Sequence, residues 1–175
     1  MGERIKDQSC FEKPAEDVAK WLLGKTICIK QPDGLRKMRI MEVEAYSSDD
    51  TACYGYDNYK KKTDPTKAKK PLFDKPGTCC IYAGMILISC TKQGAPDNVL
   101  IRKAGNCEKY CEGPVLTGNE LGVDRIPNDE DILTSDYIWL ENSETENKFF
   151  NYKRVNLSKN VEDSDRNKPL RFVSI

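Results

Sequence analysis

The sequence predicts a mixed α+β domain built around an antiparallel sheet, and three observations carry that expectation. Short stretches of period-two apolar alternation outnumber stretches with helical spacing. Neighbouring alternating stretches are joined by turns too short to hold a crossover, so the strands they make must pair antiparallel. Helical stretches do not alternate with strands as in βαβ proteins, which argues against a dinucleotide-binding fold. A chain of 175 residues can bury one substantial core, so a single domain spanning 1–175 is expected.

In chain order, Lys13–Gly24 places Ala15, Val18, Ala19 and Leu22 at helical spacing, with acids in the first turn and Gly24 suited to the C-terminal cap. Lys25–Lys30 alternates as a strand, Pro32-Asp33-Gly34 turns the chain, and Leu35–Tyr46 returns beside it. Ser47–Pro71 has loop composition. Thr78–Tyr82 and Met85–Cys90 read as a hairpin closed at Ala83-Gly84, and Asn98–Lys103 as a further strand. A short helix after Gly113-Pro114 would turn Leu116 and Leu121 inward, although Gly118 opposes it. Tyr137–Glu141 and Leu170–Ile175 are expected as late strands, and Asn142–Asn147 as a polar, mobile loop.

The chemistry concentrates in Arg39–Tyr46. Read as a strand, this stretch directs Met41, Val43 and Ala45 to a core. Glu42, Glu44 and Tyr46 then share the other face, roughly 6.6–7 Å apart in succession. Two carboxylates beside an aromatic ring suit a hydrolase that holds a planar group and activates water next to it; a solvated strand face is the plainer alternative. The chain has no histidine, which removes the commonest general acid/base and every Ser/His or Cys/His nucleophile, so acid/base work falls to carboxylates.

Formal net charge is zero, but it is unevenly spread. Lys60, Lys61, Lys62, Lys67, Lys69, Lys70 and Lys75 crowd one segment, while Glu108–Glu146 is acidic, so one face can meet phosphates while the molecule stays soluble. No apolar run approaches the roughly 20 residues of a membrane span, and Met1–Asp7 lacks the hydrophobic segment of a signal peptide. An intracellular protein with reduced thiols is therefore expected. Cys107-x-x-x-Cys111 and Cys79-Cys80 are poor metal motifs: no histidine accompanies them, no C-x-x-C pair occurs, and Cys79 and Cys80 would face opposite sides of a strand.

The order of these pieces resembles the alkyladenine (3-methyladenine) DNA glycosylase family of the mammalian type over nearly the whole chain. The resemblance rests on Phe11-Glu12-Lys13-Pro14-Ala15 with Leu22-Leu23-Gly24-Lys25, on Glu42-Val43-Glu44-Ala45-Tyr46, and on Asp50-Thr51-Ala52. It continues through Lys75-Pro76-Gly77-Thr78, Gly84-Met85, Val99-Leu100-Ile101-Arg102, Cys111-Glu112-Gly113-Pro114 with Leu121-Gly122, and Lys168-Pro169-Leu170-Arg171-Phe172.

The resemblance implies a single mixed domain around a curved, mainly antiparallel β-sheet with a protruding β-hairpin. It implies a monomer that needs no metal or other cofactor and hydrolyses the N-glycosidic bond of flipped, damaged purines in double-stranded DNA, with nuclear residence inferred from that substrate. Glu44 matches the water-activating carboxylate and Arg102 the arginine beside the target nucleotide; Glu42 is left a supporting or surface role. Tyr46 matches a ring that stacks on the base, and Tyr54 stands where the family carries histidine. The second stacking ring falls at Tyr82 or Cys80, with Tyr82 preferred, and the guanine-discriminating position at Ser89 or Cys90. Ala83, Gly84, Met85 and Lys75 match DNA contacts around the hairpin, where Ala83 or Tyr82 stands nearest the position of a wedging residue. A damaged-DNA-binding module on the same fold that has lost excision is the competing expectation, and a cysteine-based metal or redox protein the third.

Overall fold

The computed structural model describes residues 2–106, 110–143 and 148–175. Helix α1 (Ala15–Leu22) lies against the sheet with Ala15, Val18, Ala19 and Leu22 buried, the face its spacing predicts. Strands β1 (Thr26–Gln31) and β2 (Gly34–Tyr46) form the first antiparallel pair. Helix α2 (Tyr56–Lys61) and a 3-10 turn at Lys70–Phe73 lie within and just beyond the stretch expected to be loop. The hairpin β3 (Cys79–Tyr82) and β4 (Met85–Ser89) follows, then β5 (Asn98–Gly105), β6 (Tyr110–Glu112), α3 (Pro114–Leu121), β7 (Ile138–Glu141), β8 (Phe149–Tyr152), α4 (Asp163–Arg166) and β9 (Arg171–Ser174).

The described strands form one sheet in the order β3-β4-β5-β2-β1-β7, with β6 on β5 and β8-β9 on β2, and every pairing is antiparallel. The sheet is a curved half-barrel, in keeping with the expected α+β class. Part of the anticipated Asn142–Asn147 loop, residues 144–147, lies outside the described residues, as does Cys107. Among the described residues no helix is long and apolar enough to cross a membrane.

Alternation sorts the central strands into two faces. Val43 and Ala45, Ile86 and Ile88, Val99 and Ile101, and Cys79 enter the main core, where α1 also packs. Tyr46, Leu87, Leu100 and Cys80 form a second, smaller apolar cluster on the opposite face, with Tyr54, Tyr82 and Met85 against it. Cys79 and Cys80 thus separate as their neighbouring positions on a strand require.

Met41 does not enter the core. The β2–β5 register slips on either side of Glu42, leaving Met41 without a partner on β2 and Arg102 without one on β5. These two offsetting bulges change the phase of the strand, so that Met38 and Ile40 face the core before the slip and Val43 and Ala45 after it. Beyond the slip, β9 replaces β1 as the neighbour of β2.

Leu116 is likewise exposed, at 59 %, whereas Leu121 is buried as expected. Helix α3 turns Thr117 and Gly118 inward instead. The hairpin turns through Ala83 and Gly84, both at positive φ (48° and 78°), and a Cβ on Gly118 would stand 1.8 Å from the Gly84 carbonyl oxygen. Glycine at 118 is therefore what lets the helix brace the hairpin tip. Gly118→Ala should cost about 1–3 kcal/mol as the tip is forced off the helix; a urea midpoint equal to that of the unsubstituted protein would contradict this packing.

Candidate active site

Glu44 stands on the second sheet face with no exposure to solvent, and each carboxylate oxygen has a donor. The Tyr46 hydroxyl donates to Oε2 at 2.6 Å, and the Val155 N–H to Oε1 at 3.0 Å. The Arg102 guanidinium lies 3.7 Å from Oε2. Burial, and then the neighbouring Glu44 carboxylate, push the Tyr46 phenol far above its ordinary pKa, so it remains a donor. A carboxylate offers about four acceptor positions, so Glu44 retains capacity for a water molecule.

Glu42 does not have a surface role. It is buried, and three cations meet it: Arg102 Nε at 3.1 Å and Arg171 Nη1 at 3.2 Å on Oε1, and Lys103 Nζ at 3.2 Å on Oε2. Consecutive residues Arg102 and Lys103 reach one carboxylate because the bulge sends both to the same face. Glu42 thereby fixes the guanidinium that approaches Glu44.

Glu44 and Arg102 line a cavity of about 450 Å³ whose far wall is Glu112–Leu116 and whose near wall includes Met85, Val155 and Asn156. A second, narrower cavity of about 170 Å³ shares Tyr46, Met85, Leu100 and Asn156 with the first and adds Tyr54, Tyr82 and Asn98. Tyr54 and Tyr82 stack at 4.0 Å with 29° between their planes. Burial and the Tyr82 hydrogen bond lift the Tyr54 phenol to about 12.

The structure places the residues of the open alternatives differently. Tyr82 lines the narrow cavity; Cys80 does not, its buried thiol being lifted to about 12 by burial and donating to the Ala68 carbonyl. Neither Ser89 nor Cys90 lines either cavity. The Ser89 hydroxyl accepts from the Thr78 N–H and donates to the Lys75 carbonyl, and Cys90 sits in the main core. The buried amide in the cavity wall is Asn98, the cross-strand partner of Ser89; Asn156 and Ser158, which also line it, are exposed. Lys75 is half-exposed and ion-paired with Asp131, while Ala83 and Gly84 form the hairpin tip. Lys69 lies 4.5 Å over the Tyr54 ring, which brings the lysine-rich segment to the cavity. Among the described residues no group of three His, Cys, Asp or Glu could hold a metal.

Arg154 escaped the sequence reading, since a lone arginine in a polar stretch carries no motif. It pairs with Asp50 at 2.6 Å, both side chains being fully buried, and its guanidinium lies 4.7 Å from the Tyr46 ring centre. It also donates to the Ala45 and Asp165 carbonyls. Asp165 in turn accepts from the Thr51 N–H and hydroxyl and from Lys168. These bonds tie the Asp50 turn and the Val155–Ser158 wall to Tyr46.

Fold and cavities define a class: an antiparallel α+β protein with a tyrosine-walled slot beside a dry carboxylate–guanidinium pair on one sheet face. The methylpurine-DNA glycosylase family model matches residues 9–174, and the chain belongs to that family. Its relatives come from all three domains of life, so the family holds without the mammalian subtype. A candidate 3-methyladenine DNA glycosylase of Methanocella arvoryzae is 27 % identical, covering 93 % of this chain and 88 % of its own. One from Legionella pneumophila (strain Paris) is 32 % identical over 78 % and 76 %. The DNA-3-methyladenine glycosylase of Mus musculus is 26 % identical over 78 % of this chain and 48 % of its own.

Burial opposes ionisation of Asp165, but its bonds to Lys168 and Thr51 prevail and lower its pKa to about 2. A carboxylate depressed in the folded state adds stability that is fully present above its unfolded pKa and lost as pH falls through the folded value. Urea midpoints measured from pH 6 to pH 2 should therefore drop below about pH 4, and Asp165→Asn should flatten that drop while lowering the plateau.

Proposed function

We propose that the protein is a monofunctional DNA-3-methyladenine glycosylase of base excision repair that removes alkylated purines from duplex DNA. The observation that carries this reading is the junction of the two cavities, where the Glu44–Arg102 pair meets the aromatic slot at Tyr46. C1′ of a stacked nucleotide cannot be approached in line, so the nucleotide must leave the helix, at a cost of about a few kcal/mol for unstacking and unpairing. Stacking on Tyr46, with the Tyr54–Tyr82 pair as the other wall, returns on the order of 1–3 kcal/mol. Lysines around Lys69 meet the phosphate backbone, so binding weakens as salt rises.

In the chemical step, water in the larger cavity gives its proton to Glu44 as its oxygen bonds to C1′, and the C1′–N bond pair leaves with the base. The carboxylate also steadies the oxocarbenium-like sugar, and Arg102 holds the backbone phosphate or orients Glu44. Lys103 is the amine that a lyase route would use as nucleophile at C1′. Burial would favour its neutral form, but the hydrogen bond and charge of Glu42 outweigh burial and raise its pKa. It stays protonated, which favours hydrolysis over a lyase route. Genomic DNA in the nucleus is the substrate this reading implies. The competing reading, binding without excision, draws on the small side chains at the Ala83-Gly84 tip, which leave the vacated stack poorly filled.

Glu44→Gln should lower single-turnover release of 3-methyladenine and 7-methylguanine from methylated DNA by about 10²–10⁴-fold while leaving duplex binding intact; undiminished release would remove Glu44 from the mechanism. No free base from the unsubstituted protein would favour the competing reading.

Positively charged alkylpurines should be excised faster than hypoxanthine or ethenoadenine, because a cationic base already leaves well and demands less of the site. Equal or faster release of hypoxanthine from matched duplexes would contradict that order.

A further inference from the structure

Asn98 has no solvent exposure and lines the tyrosine-walled slot. Its amide nitrogen donates to the Pro96 carbonyl at 2.9 Å, and that bond fixes the orientation of the side chain, because the flipped amide would set two oxygens against each other. Its Oδ1 is then left buried with no hydrogen-bond partner. An unpaired carbonyl taken out of water is destabilising; among the described residues Gln31 Oε1 is the other uncharged side-chain acceptor so left, and of the two Asn98 lines the slot. Of the other wall residues, Leu87, Leu100, Leu157, Met85 and Ala52 are apolar, the Tyr46 hydroxyl is committed to Glu44, Tyr54 and Tyr82 stack on each other, and Asn156 and Ser158 are solvent-exposed, so Asn98 supplies the buried amide of the wall.

We infer that Asn98 is a specificity-determining residue whose Oδ1 accepts a hydrogen bond from an exocyclic amino group of the base in the slot. The inference rests on the slot being the base pocket of the proposed glycosylase. It commits the site to amino-bearing purines, derived from adenine or guanine. Hypoxanthine, which has an oxo group instead, and ethenoadenine, whose amine is locked into a ring, offer Oδ1 no exocyclic donor. This selection acts on binding and is separate from the leaving-group effect, which acts on bond breaking. A pocket built to bond a polar group discriminates against the analogue that lacks it, because its own polar atom stays unsatisfied.

Adenine, 2-aminopurine and unsubstituted purine differ only in the presence and position of the amino group. Titrated as free bases into the whole protein and followed by calorimetry or NMR, one of the two amines should bind about tenfold more tightly than purine. In Asn98→Leu the three should bind alike, and in Asn98→Ser, which keeps an oxygen, part of the preference should return. Excision supplies the second readout: Asn98→Leu should lower the ratio of 3-methyladenine or 7-methylguanine release to hypoxanthine release about tenfold. Equal binding of all three bases by the unsubstituted protein, or a preference that survives in Asn98→Leu, overturns the inference. If the unsubstituted protein releases no base at all, the glycosylase reading fails, while the free-base titration still decides the role of Asn98.

Discussion

A carboxylate held away from water is the constraint to which the rest of the site answers. Glu44 and Glu42 are two residues apart on one strand face, both buried, and two adjacent charges of one sign cannot stay dry without compensation. The fold supplies it from four segments. Arg102 and Lys103 come from β5, Arg171 from β9, the Tyr46 hydroxyl from β2 itself, and the Val155 N–H from the stretch before α4. Removing one partner from such a pair costs about 3–5 kcal/mol, a large share of the 5–15 kcal/mol by which a domain is stable. Site geometry and stability are therefore one problem in this protein.

Much of this was legible in the chain, for a physical reason. Antiparallel strands with one face in the core write a period of two into the sequence, which places Glu42, Glu44 and Tyr46 together and Val43 and Ala45 opposite. Period alone cannot show where a strand slips, so Met41 was expected inward although the bulge turns it away. Nor can it show register: Ser89 and Asn98 are cross-strand partners, and only the pairing of β4 with β5 shows that the polar wall of the slot comes from the second strand. Short elements with mixed composition, such as α2 in the lysine-rich segment or β6 with three residues, carry too few positions to display a period. Leu116 was misplaced for a different reason: α3 is set by the close approach of Gly118 to the hairpin, a contact between segments far apart in sequence.

The charges near the aromatic walls have unequal standing. Arg154 lies by the Tyr46 ring, but its ion pair with Asp50 largely cancels its field, and its part is to hold backbone in place. Lys69 lies over Tyr54 within the lysine-rich segment, and among the described residues no carboxylate pairs with it. The slot thus has a neutralised inner wall and an electropositive outer one. That polarity suits a planar group carried on an anionic chain.

The brace between Gly118 and the hairpin turn makes the tip and the far wall of the Glu44 cavity parts of one mechanical unit. Helix α3 touches the tip through Gly118, and the same helix presents Pro114, Val115 and Leu116 to the cavity. A load on the turn acts on a lever whose other end is the compartment beside the carboxylate. The position of the tip and the volume left around Glu44 are joined through two glycines that have no side chains to yield.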